Sequence, residues 1–211
     1  MKAVIFDFDG TLVDSLVGVI KVYERVRGGV PLTQEQRRAL QNKSLLQIAL
    51  DMGVPKWKIL FLAVWGRRMF HKHLRSVQVH AGIPELLAEL HKKDVPLYVL
   101  SANRTANVRK YLQWHDLDKY FVGVYGGASF LSKTRAMTKL VRQERLTPGE
   151  VLCVGDERVD VRSAHAAGLQ VVAVTWGYSN EERLAALHPE YLVHTSEELR
   201  NAVHTWLKKS S

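Results

Sequence analysis

The stretch AVIFDFDGT, residues 3–11, decides the fold of this chain. Its first four residues are apolar without interruption, which is typical of a central parallel strand that is buried on both faces. Asp7 and Asp9 follow at once, and Gly10 permits a tight backbone turn after them. The stretch therefore predicts a buried strand that leads into an acidic loop.

Further short apolar runs follow along the chain, and segments with helical period lie between them. The predicted strands are residues 3–6, 96–100, 121–125, 151–154, 171–175 and 191–193. The predicted helices are residues 84–93, 105–115 and 159–167. Strands that alternate with helices in this way indicate an α/β fold with one parallel sheet and crossover helices.

The segment 15–81 interrupts this alternation. It contains no convincing strand, and glycine and proline residues separate several helical patterns within it. An apolar stripe at helical spacing runs from Trp57 to Met69, and packing inside the segment is its simplest explanation. We therefore expect a core domain of residues 1–14 and 82–211 and a small helical domain over 15–81, joined by short hinges.

Composition excludes several classes of protein. Hydrophobic residues make up 46% of the chain and charged residues 24%, which is the balance of a globular protein with a substantial core. No apolar run approaches the roughly 20 residues that span a bilayer, and the run after Lys2 ends at Asp7, far short of an export signal. The single cysteine, Cys153, has no intrachain disulfide partner. We expect a cytoplasmic protein with no membrane partner.

The chain is strongly basic, with 30 Lys and Arg residues against 21 Asp and Glu residues and a formal charge of +9. Such a charge attracts anions by electrostatic steering, whether phosphorylated metabolites, nucleic acids or acidic proteins. The positive residues are scattered along the sequence, and no recognised nucleic-acid module is present. A small phosphorylated ligand is favoured, and a basic surface that binds nucleic acid or an acidic protein remains an alternative.

A second acidic loop follows the fourth predicted strand and contains Asp156 and Asp160. In a parallel sheet both acidic loops open toward the same edge, where open α/β proteins bind their ligands. Close carboxylates raise one another's pKa unless a cation separates them, so a divalent metal is a natural third member beside Asp7 and Asp156. Taken alone, this second loop has an equally good structural explanation, in which Asp156 caps the following helix and Asp160 is an acid in its first turn.

Two positions between the acidic loops suit an anion. Ser101 and Ala102 follow the second predicted strand and offer a hydroxyl and backbone amides at the start of a helix. Lys133 precedes a helical stretch and offers a positive charge. Neither position is decisive alone, because a serine after a strand is commonly a cap and a single lysine is commonly solvated. Their order between two acidic loops favours one shared site.

The motifs DFDGT-x2-DS at 7–15, LSANR at 100–104, SKT at 132–134 and VGDERVD at 154–160 resemble those of the haloacid dehalogenase superfamily, specifically its phosphatase branch. The resemblance covers essentially the whole chain. It implies a modified Rossmann fold, a three-layer α/β core with a parallel sheet, and an all-helical cap inserted after the first strand over 15–81. Dehalogenases lack the second aspartate, so the namesake reaction is disfavoured.

The resemblance also implies catalytic roles. Asp7 would be the nucleophile that forms an aspartyl-phosphate, and Asp9 the general acid that protonates the leaving oxygen and later activates water. Ser101, Ala102 and Lys133 would bind the phosphoryl oxygens.

A metal site is implied as well. Asp156, Asp7 and the backbone carbonyl of Asp9 would coordinate Mg²⁺. Asp160 would support the site either by binding the metal itself or by contacting its ligands. Glu157 is interpreted as a solvated first-turn acid, and contact with the metal shell remains an alternative. Mg²⁺ and a nearby lysine would lower the repulsion between a carboxylate nucleophile and a dianionic ester.

The sequence thus predicts a Mg²⁺-dependent phosphatase that acts on a small phosphorylated metabolite, with phosphoglycolate-like substrates as the first expectation from the resemblance. Sugar phosphomutases of similar architecture transfer the phosphoryl group to a sugar hydroxyl instead, and the sequence barely separates the two reactions. We expect a monomer or a homodimer with no specific nucleic-acid partner.

Overall fold

The computed structural model describes residues 1–15, 17, 24, 28–33, 35–36, 77–128 and 132–209. Most of the helical domain predicted over 15–81, including its whole apolar stripe from Trp57 to Met69, lies outside these residues. The predicted core domain is covered almost completely, and it carries every predicted site residue.

Within the described residues, six strands form one parallel sheet. They are β1 (Ala3–Phe6), β2 (Leu97–Leu100), β3 (Gly123–Tyr125), β4 (Val151–Gly155), β5 (Gln170–Val174) and β6 (Tyr191–Val193). The strand order is β3-β2-β1-β4-β5-β6, and every neighbouring pair is parallel. The predicted α/β fold with a parallel sheet is confirmed, and each predicted strand boundary is within two residues of the observed one.

Helices cover both faces of the sheet. In the described part of the chain they are α1 (Ile83–Lys92), α2 (Thr105–Trp114), α3 (Lys133–Gln143), α4 (Arg158–Ala166), α5 (Glu181–Ala185) and α6 (Ser196–Lys208). The three predicted helices correspond to α1, α2 and α4. The long helix α6 is absent from the sequence-based prediction, although Thr195 caps it by accepting a hydrogen bond from the Glu198 amide at 3.1 Å.

Alternate residues of the strands supply two separate cores. Val4 and Phe6 of β1 pack on one face with apolar residues of α1, α2 and α6, whereas Ala3 and Ile5 pack on the other face with α3, α4 and α5. Cys153 belongs to the second core and is buried there, as expected for a small core residue. Because both faces are covered, the polar residues at the ends of the central strands are the ones left to form a ligand site.

Two stretches that are distant in sequence meet beside the acidic loop after β1. The Asp14 amide donates to the Gln78 carbonyl at 2.9 Å, and the His80 amide donates to the Leu12 carbonyl at 3.0 Å. Residues 12–14 and 78–80 therefore run side by side, next to both hinges predicted from the sequence. A search of the described helices for one long and apolar enough to cross a membrane finds none.

Candidate active site

The site lies where the strand order reverses, at the carboxyl ends of β1 and β4. These two strands are neighbours in the sheet, and the Asp7 amide donates to the carbonyl of Val154 at 2.8 Å. Asp7 follows β1 directly, and Asp156 follows β4 directly. In doubly wound α/β folds a crevice opens at this point because the connections on its two sides diverge.

Three buried carboxylates and one buried ammonium meet in this crevice. Asp7, Asp156 and Asp160 each offer one oxygen atom, and these three atoms lie within 4.8 Å of one another. Lys133, the first residue of α3, brings its Nζ to 2.6 Å from Asp7 Oδ1 and also forms an ion pair with Asp160. Three distant stretches of the chain thus converge, as their order along the sequence predicts.

The cluster carries more negative than positive charge. Burial raises the pKa of Asp156, and the neighbouring Asp7 and Asp160 carboxylates raise it further. Burial also raises the pKa of Asp7 against the opposing effect of Lys133. For Lys133, burial alone would lower the pKa, but Asp160 and Asp7 raise it well above its usual value. Lys133 is therefore a permanent cation, and the third carboxylate, that of Asp156, forms no ion pair with any of the described residues.

This deficit of positive charge fits a divalent cation. Mg²⁺ takes oxygen ligands and retains several waters, so two carboxylates and one carbonyl supply enough protein ligands. Asp7 and Asp156 are close enough for oxygens of both to contact one ion. The donor set is made only of oxygen atoms, which disfavours zinc and other metals that prefer nitrogen or sulfur ligands.

Asp156 is held rigidly on both of its oxygens. The Thr11 hydroxyl donates to Oδ1 at 2.7 Å, and the Tyr178 amide donates to Oδ2 at 2.7 Å. Gly177 and Gly10 pack so tightly against the carboxylate that a Cβ atom at either position would overlap with it. Gly10 also has a positive φ of 79°, which favours glycine there.

Asp160 lies in the first turn of α4 and stabilises the start of this helix. Its Oδ2 accepts a hydrogen bond from the Glu157 amide at 2.9 Å, and Glu157 caps α4 in return, which makes a reciprocal capping box. The helix cap is thus Glu157 and not Asp156. The purely structural explanation of Asp156 as a cap, which the sequence left open, is therefore excluded. Glu157 is partly exposed at the N-cap of α4, immediately before its first turn, and burial together with the Asp156 and Asp160 carboxylates raises its pKa to about 8.

Asp9 differs from the other aspartates in its surroundings. Its Oδ2 accepts a long hydrogen bond of 3.4 Å from the Asn103 side-chain amide, whereas its Oδ1 is buried and has no hydrogen-bond partner among the described residues. Burial raises the pKa of Asp9 to about 6, although hydrogen bonds from Asn103 and Ser15 oppose the shift. A carboxyl group with this pKa exchanges protons readily near neutral pH.

The loop after β2 borders Asp9. Ser101 is almost completely buried, and its hydroxyl oxygen accepts a hydrogen bond from the Asn103 amide at 2.9 Å, which leaves the hydroxyl proton free to donate. Ala102 is half-buried between them. The Asn103 side chain is fixed in turn by hydrogen bonds from the Arg104 amide at 2.9 Å and from the Asn107 side chain at 3.0 Å.

Two residues at the site escaped the sequence analysis. Asn103 stands within the quoted motif LSANR, but its contact with Asp9 depends on the pairing of β1 with β2. Tyr178 follows β5, a strand without an acidic motif at its end, so no local signal marks it. Its place beside the site follows only from the position of β5 next to β4.

Comparison with known proteins agrees with the geometry. The model of the family described as haloacid dehalogenase-like hydrolase matches residues 4–174. A phosphoglycolate phosphatase from Synechococcus elongatus is 36% identical over 206 residues, covering 96% of this chain and 97% of the relative. A phosphoglycolate phosphatase from Escherichia coli strain K12 is 25% identical and covers 96% of this chain and 92% of the relative.

A solved structure supports the same assignment. A haloacid dehalogenase-like hydrolase from Streptococcus pneumoniae is similar with a TM-score of 0.78 and 25% identity, and the match covers 96% of this chain and 98% of that one. The family match spans most of the chain, and the carboxylate and lysine residues of its motifs meet in one crevice. The chain therefore belongs to the haloacid dehalogenase-like hydrolase family, within its phosphatases.

Proposed function

We propose that this protein is a Mg²⁺-dependent phosphatase that hydrolyses a small phosphomonoester through an aspartyl-phosphate on Asp7. The observation that carries this proposal is the buried cluster in which Lys133 contacts Asp7 and Asp156 lies within reach of the same ion. An arrangement of this kind makes a carboxylate a usable nucleophile, because the charges that would repel a dianionic ester are compensated.

Asp7 carries out the first step. One of its oxygens contacts Lys133, so the other attacks phosphorus, a bond forms between that oxygen and phosphorus, and the bond from phosphorus to the ester oxygen breaks. Asp9 gives its proton to the departing oxygen. Water then attacks the phosphorus while Asp9 takes a proton from it, which releases inorganic phosphate and restores Asp7.

The surrounding groups stabilise the charge on the phosphoryl oxygens. Lys133 supplies a fixed ammonium, while the Ser101 hydroxyl and the backbone amides near Ala102 supply hydrogen-bond donors. Mg²⁺ held by Asp7, Asp156 and the backbone carbonyl of Asp9 would neutralise further charge on the ester. Asp160 keeps Lys133 charged and directed at Asp7 through its ion pair.

The first substrate to test is 2-phosphoglycolate. It is the substrate named for the relative from Synechococcus elongatus, which matches this chain at 36% identity over nearly its whole length. The ester is small and doubly anionic at the phosphate, which agrees with the basic character of the chain and its charge of +9.

Removal of the metal provides the test. Treatment with a chelator should lower phosphate release from 2-phosphoglycolate by more than about 100-fold, because the ester and the carboxylates would face each other without the cation, and excess Mg²⁺ should restore it. Inorganic phosphate is measured by a colorimetric assay. Turnover that is indifferent to the chelator contradicts the metal assignment, and isomerised hexose phosphates without phosphate release would identify a phosphomutase.

The tight packing around Asp156 gives a second expectation. In Gly177→Ala the added methyl group overlaps with the Asp156 carboxylate and must displace it, so the affinity for Mg²⁺ should fall by about 10- to 100-fold. Calorimetric titration with Mg²⁺ measures this directly. Gly149→Ala is the matched control, because a methyl group there has no neighbour within 4 Å. Equal affinities in the two variants would exclude Asp156 as a ligand.

A further inference from the structure

Helix α3 begins with Lys133, and hydrogen bonds attach its opposite end to the sheet. There the Glu144 carboxylate accepts a hydrogen bond from the Tyr98 hydroxyl at 3.2 Å and another from the Tyr125 hydroxyl. Tyr98 lies in β2 and Tyr125 in β3, so the C-terminal end of the helix is fixed against two strands. The end that carries the lysine needs a fixed point of its own.

A hydrogen bond between two hydroxyl groups joins the start of α3 to α4. The Thr134 hydroxyl donates to the Ser163 hydroxyl at 3.0 Å. Ser163 is 2% exposed, and among the described residues its hydroxyl has no hydrogen-bond partner other than Thr134. Because a buried hydroxyl without a partner destabilises a protein, Ser163 favours the arrangement of the two helices that keeps Thr134 within reach.

This bond lies beside the ion pair that joins the same two helices. Thr134 follows Lys133 directly, and Ser163 lies about one helical turn after Asp160. Within the described part of the chain, no third hydrogen bond or ion pair joins side chains of α3 and α4, and the rest of their contact belongs to an apolar core. Apolar packing is not directional, whereas a hydrogen bond is, so the hydroxyl pair sets how the two helices are aligned.

The alignment of α3 matters because of the protons on the lysine. An ammonium group has three protons, and two of those on Lys133 are directed at Asp7 and Asp160. The third is available to a phosphoryl oxygen. The stem of a lysine is a flexible chain of four carbons, so the direction of this proton depends on where the backbone of Lys133 stands relative to the two carboxylates.

We propose that Thr134 is a positioning residue for Lys133, and that its bond to Ser163 holds the start of α3 so that the third proton of the ammonium is directed at the phosphoryl group. This inference rests on the role proposed above for Lys133. A dianionic ester draws the ammonium away from the two aspartates, so the ion pairs alone no longer determine its position. A displaced ammonium still attracts the ester but misses the transition-state geometry, so kcat should fall while KM changes little.

The experiment compares Thr134→Val and Ser163→Ala with the wild-type protein at saturating Mg²⁺. We expect kcat to fall about 3- to 10-fold in each, because small misplacements of a charge-stabilising group cost activity, and KM to stay within about twofold. The double variant should be no worse than either single one, since both remove the same bond. The loss should be equal for 2-phosphoglycolate and p-nitrophenyl phosphate, because the transferred group is the same.

Thermal unfolding separates positioning from general stabilisation of the fold. Thr134→Val leaves the buried Ser163 hydroxyl without a partner, whereas Ser163→Ala removes that hydroxyl, so Thr134→Val should have the lower midpoint. The two kcat values should nevertheless agree. Losses of kcat that follow the order of the midpoints would show that the bond acts only on stability, and would overturn the inference.

Thr138→Val is the matched control. Its hydroxyl donates to the Thr134 carbonyl at 3.0 Å, so that bond stays within α3 and reaches no other element. This variant should leave kcat and KM unchanged. An equal loss of kcat in Thr138→Val, or no loss in Thr134→Val and Ser163→Ala, would overturn the inference while the wild type remains active.

A second background tests whether the effect passes through the lysine. In Lys133→Met the ammonium is absent, so adding Thr134→Val should lower kcat by less than about twofold further. Circular dichroism at the assay temperature checks that these variants are folded, and if they are not, the comparison of the single variants decides. An undiminished effect in the folded Lys133→Met background would overturn the inference. A wild type inactive on both esters, or a fully active Lys133→Met, would remove the proposed function and the inference with it.

Discussion

Asp7→Asn is expected to abolish phosphate release, with kcat lower by on the order of 10⁴-fold or more, because an amide is not a nucleophile toward phosphorus and no other group replaces it. The fold should persist, since the amide oxygen of asparagine still accepts the hydrogen bond that Lys133 donates to Asp7 at 2.6 Å. Steady-state assays with 2-phosphoglycolate and thermal unfolding of the same samples measure the two quantities separately.

The intermediate offers an independent observation. Rapid acid quenching of the wild-type protein during turnover should trap one phosphoryl group on the peptide that contains Asp7, as detected by mass spectrometry, and Asp7→Asn should trap none. Asp94→Asn is the matched control, because Asp94 is exposed and its positive φ of 54° suits asparagine equally well. Undiminished turnover in Asp7→Asn, or a phosphoryl group on another peptide, would contradict the nucleophile assignment.

Lys133→Met is expected to reduce both activity and stability. The side chain of Lys133 is almost completely buried between Asp7 and Asp160, and methionine leaves both carboxylates without their cation. Removing one partner of a buried ion pair costs about 3–5 kcal/mol, because the other charge remains in a poorly solvated place. Activity should fall by about 10²- to 10³-fold, the usual effect of losing one charge-stabilising group. Urea unfolding in the presence of a chelator measures the loss of stability.

A compensating substitution separates the two effects of Lys133. The double variant Lys133→Met/Asp160→Asn replaces the unpaired Asp160 carboxylate with a neutral amide. The amide oxygen of asparagine still accepts the hydrogen bond from the Glu157 amide. Part of the lost free energy of unfolding should return, whereas activity should not. Full stability in the single variant would show that the lysine does not compensate the buried carboxylates, and recovered activity in the double variant would exclude it as a phosphate ligand.

The sequence predicts the core of this fold because its central strands are uninterrupted apolar runs with polar residues directly after them. That pattern alone places Asp7 and Asp156 at one edge of the sheet, and strand neighbours bring them together. The helix α6 was missed although its sequence carries the signal, because its buried residues Leu199, Ala202, Val203 and Trp206 recur at i, i+3, i+4 and i+7 after the cap at Thr195. Burial of Trp206 against the sheet becomes visible only in the tertiary structure.

Contacts between loops from non-adjacent strands could not be predicted from the sequence. Tyr178 reaches Ser15 across 163 positions of chain, and neither residue belongs to a pattern that points to the other. Glu157 caps α4 because its side chain accepts a hydrogen bond from the Asp160 amide, and the choice of cap is ambiguous in any loop with three acids in five residues. Motifs indicate which residues meet, whereas the groups that orient them follow from how loops pack.

The side-by-side passage of residues 12–14 and 78–80 has a consequence for how such proteins diversify. Because residues 12–14 and 78–80 are hydrogen-bonded to each other, a change in the length of the stretch between them need not move β1 or α1. The entropy lost on closing a longer loop also grows only slowly with its length. On the proposed division into a core and a segment over 15–81, exchange of that segment would leave the reacting groups in place and would change only which ester reaches them.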